Sequence, residues 1–233
     1  MNDLKSKVCE IIDSMKSRLI EISDTIHANP ELGFQEYRAS KLLASELEKH
    51  GFKVEMGISG LPTAFKATFT GKKDKPKIAF LAEYDALPKL GHACGHNIIG
   101  TAAIGAAIAL SKIISDLNGE IIVFGTPAEE GVVENAGGKV IMINEIAKAD
   151  VALMIHPSSR NTCAYASLAR EAFRIEFFGK AAHAAGAPHK GINALEAVIL
   201  TFVSINALRQ HLKKDAMIHG CLLYTSPSPR DRG

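Results

Sequence analysis

Three residues able to bind a soft divalent metal stand at alternate positions in a glycine-containing loop: His92, Cys94 and His96, in the run GHACGHN. Thiolate sulfur and imidazole nitrogen are ligands that suit zinc. Acids lie on either side: Glu83 and Asp85 in EYDALP, the adjacent pair Glu129-Glu130 in TPAEEG, and then His156 further along. Adjacent carboxylates beside a metal can divide the work, one holding the ion and the other taking a proton from water. Each part also has a plainer reading. Cys94 alone is compatible with a buried thiol, Glu129-Glu130 with the acidic start of a helix, His156 with a core histidine, and Asp85 with a turn residue. Taken together they describe one site, because of the elements that must carry them.

Short apolar runs at 77–83, 120–125 and 150–156 have the texture of buried strands. Each delivers polar, metal-capable residues at its end: Glu83 and Asp85 from the first, Glu129 and Glu130 from the second, His156 from the third. In open α/β sheets ligands gather beyond the carboxyl ends of the strands. Three such endings, with the His/Cys loop between the first two, point to a single pocket. Between the strands the period is helical. Leu4, Val8, Ile11, Ile12, Met15, Leu19, Ile22 and Ile26 recur on one face, and that helix must stop near Asn29-Pro30. Further helices are expected at 36–50, 97–117 and 140–148, and two more strands at 52–54 and 64–69. The alternation predicts an α/β fold on a mostly parallel sheet. After Pro157 the texture changes to strand-like 162–168 and 172–178, then helical 193–212, the β-β-α start of a smaller α+β domain. No internal repeat is visible.

Composition narrows the partners. The chain has 233 residues, 47% hydrophobic and 22% charged, with a net charge of +2, which gives no bulk electrostatic case for nucleic acid or an anionic membrane. The longest apolar run, 98–110, is broken by glycines and is short for a bilayer span. MNDLKSKVCE shows no apolar signal core behind a basic start. Cys9, Cys94, Cys163 and Cys221 have no disulfide-framework spacing. A reducing, cytoplasmic location is expected. The last stretch, CLLYTSPSPRDRG, resembles the translation of a transposase sequencing adapter, so residues 221–233 are set aside as non-native. The natural protein is then expected to be interrupted at about Gly220.

The ordered motifs HANPELGFQEY, EYDALP, GHACGHN, TPAEEG and GKAAHAAGAPHKGINAL resemble the zinc-metallopeptidase family of aminoacylases, carboxypeptidase-G-type enzymes and amino-acid-conjugate amidohydrolases, over about residues 15–215. Within it they are similar to the subgroup of p-aminobenzoyl-glutamate hydrolase and of Xaa-Arg and β-alanyl-lysine dipeptidases. The resemblance implies a catalytic domain in 1–166 and an inserted, incomplete ferredoxin-like dimerisation lid in 167–220. It implies two divalent ions, with zinc favoured and manganese or cobalt compatible. Cys94 resembles a ligand bridging both ions, His96 and His156 ligands of one ion, and Glu130 a ligand of the other. Glu129 resembles the general base, and Asp85 the carboxylate that orients a ligand. His183 resembles a histidine that reaches across a homodimer to an oxyanion, with Asn193 in the same lid region. His92 is implied to be near the ions rather than bound to them. Glu83 stands where classical members carry a histidine; the amidohydrolase subgroup usually has an acid there, so Glu83 fits that subgroup. The expected substrate is a small dipeptide or an N-acyl or aminobenzoyl amino acid. The family's last histidine ligand lies beyond this sequence, so the chain as written is expected to hold at most one ion well and to show little activity. Three rival readings are a non-catalytic binding module on the same scaffold, a hydrolase with Cys94 as nucleophile and His92 or His96 as its base, which a chelator would spare, and a purely structural zinc site, which gives no reason for the doubled glutamate.

Overall fold

The computed structural model describes residues 2–114, 117–163 and 169–222. The chain divides into two compact units, 1–162 and 163–233. The boundary expected at 166/167 lies outside the described residues, as do most of the expected strand 162–168 and the tail from 223 onward.

The first unit is built on a five-stranded sheet. In chain order its elements are α1 (Asn2–Ser14), α2 (Lys16–Ala28), α3 (Tyr37–Lys49), β1 (Lys53–Met56), β2 (Phe65–Thr70), β3 (Lys77–Ala82), α4 (His96–Ile114), β4 (Glu120–Gly125), α5 (Gly138–Ile141), α6 (Ile143–Ile146) and β5 (Val151–Leu153). The single helix expected from the first periodic stretch is two helices. Met15 belongs to neither, although its amide still donates to the carbonyls of Ile11 and Ile12 at 3.1 and 3.0 Å, so the break is a kink and the apolar face continues across it.

The sheet order is β1-β2-β4-β3-β5. β3 pairs in parallel with both β4 and β5, whereas β1–β2 and β2–β4 are antiparallel. The mostly parallel sheet expected from the sequence is therefore mixed. Residues 57–64 join β1 to β2, and so short a link permits only antiparallel pairing, a parallel crossover needing about a dozen residues or more.

β4 shows why the sheet is covered on both faces. Ile121 and Val123 join the cluster that contains Ile22, Leu43, Leu47, Ile104 and Ile108 from α2, α3 and α4. Ile122 and Phe124, with the opposite parity, pack with Ala79, Met142 and Ile146. Alternate residues of a strand point to opposite faces, so one buried strand serves two cores. β5 departs from the expected third buried strand: Val151 and Leu153 are about half exposed, at 48% and 49%. It sits at the sheet's edge, where among the described residues β3 is its sole partner.

α4, at 19 residues, starts within one residue of the expected 97 and reaches past the apolar run. By length and composition it is able to cross a membrane, yet 67% of that apolar window is buried inside the fold, as suits a core helix. Small residues let it lie close to β3. At Gly100 a Cβ would stand 2.8 Å from the carbonyl oxygen of Glu83 and 2.9 Å from Leu43 Cδ1.

α2 and α3 are clamped by a two-pronged ion pair, Arg18 Nε to Glu46 Oε1 at 3.1 Å and Nη2 to Oε2 at 2.7 Å, with the Glu46 side chain only 5% exposed. The Arg18 guanidinium holds the Glu46 carboxyl below its ordinary value. A depressed carboxyl stabilises the fold above its unfolded pKa, near 4.5, and loses that contribution as pH falls through the folded value. Glu46→Gln is expected to cost about 1–2 kcal/mol at neutral pH, with the gap from wild type closing in acid. Chemical denaturation across pH measures it; a gap that stays constant into acid contradicts the assignment.

In the second unit, α7 (Ala194–Leu208) starts at Asn193, whose Oδ1 accepts from the Leu195 amide at 3.1 Å. Asn193 is thus a helix cap here. Lys180 and Ile192 form an isolated two-way backbone bridge at 2.9 Å. Residues 172–178, expected as a strand, form none and are exposed. A strand exists by virtue of a paired neighbour, and among the described residues this segment has no ladder partner.

Candidate metal centre

The carboxyl ends of β4, β3 and β5, which are adjacent and parallel, bring the predicted residues of the first unit together. β3 runs out at Ala82 and hands on Glu83 and Asp85, both fully or almost fully buried. α4 opens at His96, itself 1% exposed. β4 leads through residues 126–128 to Glu129 and Glu130. β5 leads to His156.

Asp85 orients the others. Its Oδ1 lies 2.8 Å from His96 Nδ1 and its Oδ2 accepts the Glu130 amide at 2.9 Å. With Nδ1 committed to Asp85, His96 turns Nε2 inward, 3.4 Å from Glu83 Oε2 and 3.7 Å from a carboxylate oxygen of each of Glu129 and Glu130. The rings of His96 and His156 meet edge to face, 5.9 Å between centroids. Two overlapping donor sets result, Glu83–His96–His156 and His96–Glu129–Glu130, each with its ligand atoms within 4.8 Å of one another. His96 is common to both.

The electrostatics suit a cation. Burial alone would depress His96, but Asp85, followed by Glu130 and Glu129, outweighs it and raises the imidazole above its ordinary value. The hydrogen bond to Glu130, aided by burial, pushes the Cys94 thiol up to about 11. A nucleophilic cysteine needs the opposite shift, and its partner here is a carboxylate rather than an imidazole, which speaks against the Cys94-nucleophile reading. Glu83 Oε2 and His96 Nε2 are buried and have no hydrogen-bond partner among the described residues. Two buried lone-pair atoms close to each other, among carboxylates, are what a divalent ion would satisfy.

Not every predicted residue enters these sets. Cys94 is tied to them through Glu130. His92 is buried but outside both, and burial, then His96 and His27, lower its pKa. His183 belongs to the second unit. There its Nδ1 accepts the amides of Gly186 at 2.9 Å and Ala185 at 3.2 Å. An imidazole nitrogen that accepts is unprotonated, so in the neutral ring Nε2 carries the hydrogen and is the donor.

No protein-family profile matches the chain. Individual proteins do. A mouse (Mus musculus) Xaa-Arg dipeptidase is 38% identical over 94% of this chain and 53% of its own length. A p-aminobenzoyl-glutamate hydrolase polypeptide of Escherichia coli is 36% identical over 94% of this chain and 49% of its own length. The chain is homologous to these enzymes. It spans about half their length. Among solved structures, a Bacillus subtilis dinuclear metal-binding peptidase of the M20 family is 28% identical, with a TM-score of 0.52 over 60% of this chain and 42% of that one.

Two further residues shape the centre. Glu83, a metal-capable residue in the sequence but not one of the ligands implied there, enters a donor set. Lys139, in α5, places its ammonium on Glu83 Oε1, leaving Oε2 to face His96. Nothing in the run NAGGKVI marks that lysine as different from a surface one. The loop itself turns on Gly95, at φ +78°, where a Cβ would stand 2.7 Å from Pro157 Cγ. Gly95→Ala is expected to destabilise the first unit by about 1–3 kcal/mol and to weaken metal binding with it. A denaturation midpoint equal to wild type would contradict this.

Proposed function

We propose that this centre serves metal-dependent hydrolysis of an amide bond in a small substrate, a dipeptide or an N-acyl or aminobenzoyl amino acid. One observation carries the reading: two donor sets that share His96, with His96 Nε2 and Glu83 Oε2 buried and unpartnered at their junction. The names of the homologues, Xaa-Arg dipeptidase and aminobenzoyl-glutamate hydrolase, support the substrate class, and the dinuclear peptidase of known structure supports two ions. Cys94, His96, Glu130 and His156 would hold them, with Glu83 as a further donor. Zinc suits the thiol and imidazoles, and manganese or cobalt is compatible. When bound, such ions polarise the amide carbonyl and make water a stronger acid.

The remaining steps belong to side chains. Glu129, whose side chain is 39% exposed, is open to solvent and next to a ligand, so its carboxylate takes the proton from the attacking water and passes it to the departing amine nitrogen. Asp85 fixes the tautomer and direction of His96. His183, with Nε2–H as donor, stabilises the oxyanion from a partner subunit's lid in a homodimer, on a ferredoxin-like domain that begins in the second unit. Four free cysteines fit a cytoplasmic setting.

The test is a chelator experiment on the longest product of the gene. Cleavage of dipeptides with a basic C-terminal residue, or of aminobenzoyl-glutamate, should disappear on dialysis against chelator and return with zinc, manganese or cobalt. Hydrolysis that survives the chelator would overturn the reading in favour of a thiol enzyme. No cleavage, with tight metal binding, would favour the binding module.

A further inference from the structure

The HANPELGFQEY segment contributes no atom to either donor set, yet it grips both loops that do. The carbonyl oxygen of Glu31 accepts the amide of Ala86, next to Asp85, at 2.8 Å. The Glu36 carboxylate is fully buried. Its Oε1 accepts the amides of Phe34 at 2.9 Å and Ala128 at 2.8 Å. Its Oε2 accepts the Thr63 hydroxyl at 2.8 Å, and the Thr63 carbonyl accepts the hydroxyl of Tyr84, which stands between Glu83 and Asp85, at 2.7 Å.

Ala128 is the unusual member. It has φ +54°, a left-handed conformation that residues with a Cβ avoid. Such strain persists only where the surroundings enforce it, and here they do so from three sides. Glu36 takes its amide, the Gly137 amide donates to its carbonyl at 2.7 Å, and Gly33 packs so closely that a Cβ there would lie 2.8 Å from Ala128 Cβ. Ala128 is followed directly by Glu129, so its dihedrals decide where the two glutamates aim. We infer that Glu36 is a positioning residue, a buried carboxylate that enforces the left-handed turn at Ala128 and thereby directs Glu129 and Glu130 at His96. Its bearing on catalysis rests on the function proposed above; the turn itself does not.

Four variants of the 233-residue chain test this: Glu36→Gln, Glu36→Ala, Ala128→Gly, and the double variant Glu36→Ala/Ala128→Gly. Two readouts are used, amide hydrogen exchange in residues 126–131 and cobalt titration followed by the thiolate–cobalt absorption band. Glu36→Gln keeps an oxygen for both amides, and the Thr63 hydroxyl can turn to accept from the new NH₂, so both readouts should stay within about threefold of wild type. Glu36→Ala should speed exchange at Ala128 by about tenfold or more and weaken cobalt binding by about 10–100-fold, as loss of an outer partner does. Glycine adopts the left-handed turn unaided, so the double variant should regain most of the cobalt affinity. A merely structural carboxylate, whose loss loosens the core, would gain nothing from glycine at 128. The inference fails if Glu36→Ala leaves exchange at 126–131 unchanged, if Glu36→Gln is as damaging as Glu36→Ala, or if Ala128→Gly gives no rescue. A wild-type chain without a Cys94-dependent cobalt band would sink the metal reading instead, and the exchange arm would still decide the role of Glu36.

Discussion

Glu129→Gln is expected to lower turnover by about 10²–10⁴-fold in the longest product of the gene, with cobalt affinity almost unchanged. The argument lies in the division between neighbours. Glu130 is the more buried, 10% exposed at its side chain, and its amide is held by Asp85 at 2.9 Å. Glu129 is more open, 39% exposed at its side chain, and the proposed role as base requires that openness to meet a water and a substrate nitrogen. An amide side chain can neither take the water's proton nor return it to the leaving group. Steady-state kinetics would show a fall in kcat with little change in KM. An equal loss of cobalt affinity would instead make Glu129 a ligand, as its place in the His96–Glu129–Glu130 set also permits.

Cys94→Ser is expected to weaken zinc or cobalt binding by more than about 100-fold, beyond the 10–100-fold that loss of an outer partner brings, and to erase the thiolate–cobalt absorption band. The substitution is nearly isosteric, and the thiol is only partly buried, so the fold should survive and the loss should report ligation. Serine still accepts and donates hydrogen bonds, so the contact with Glu130 can persist while the soft ligand is gone. Competition titrations against a chromophoric chelator measure it. Affinity within about threefold of wild type would remove Cys94 from the ligand set and leave His96 with the carboxylates.

Much of this cluster was legible because its candidate ligands follow strands with strong patterns. β3, β4 and α4 announce themselves by apolar runs and small-residue periodicity, and Glu83, Asp85, Glu129 and Glu130 follow from where β3 and β4 end, as His156 does from β5. Less legible was anything decided by a neighbour far along the chain. The sheet's mixed direction depends on which strand β2 finds, and β2 finds β4. The exposure of β5 depends on its place at the edge. Lys139 and Glu36 look like surface residues in sequence, and only their contacts with Glu83 and Ala128 give them roles. The kink at Met15 lies within an unbroken apolar period, so no local signal marks it. His183 was singled out by resemblance alone, and what the fold adds is the tautomer that its own loop imposes.

The close approach at Gly100 has an evolutionary consequence. One helical turn separates it from His96, and its missing side chain lets α4 settle against the carbonyl of Glu83. A methyl group there would lever the helix off β3 and carry the imidazole away from both acids. The tolerance of this protein to sequence drift is therefore set partly at a position with no chemistry of its own. In a saturation screen for metal retention, position 100 should rank among the least forgiving, beside Cys94 and His96.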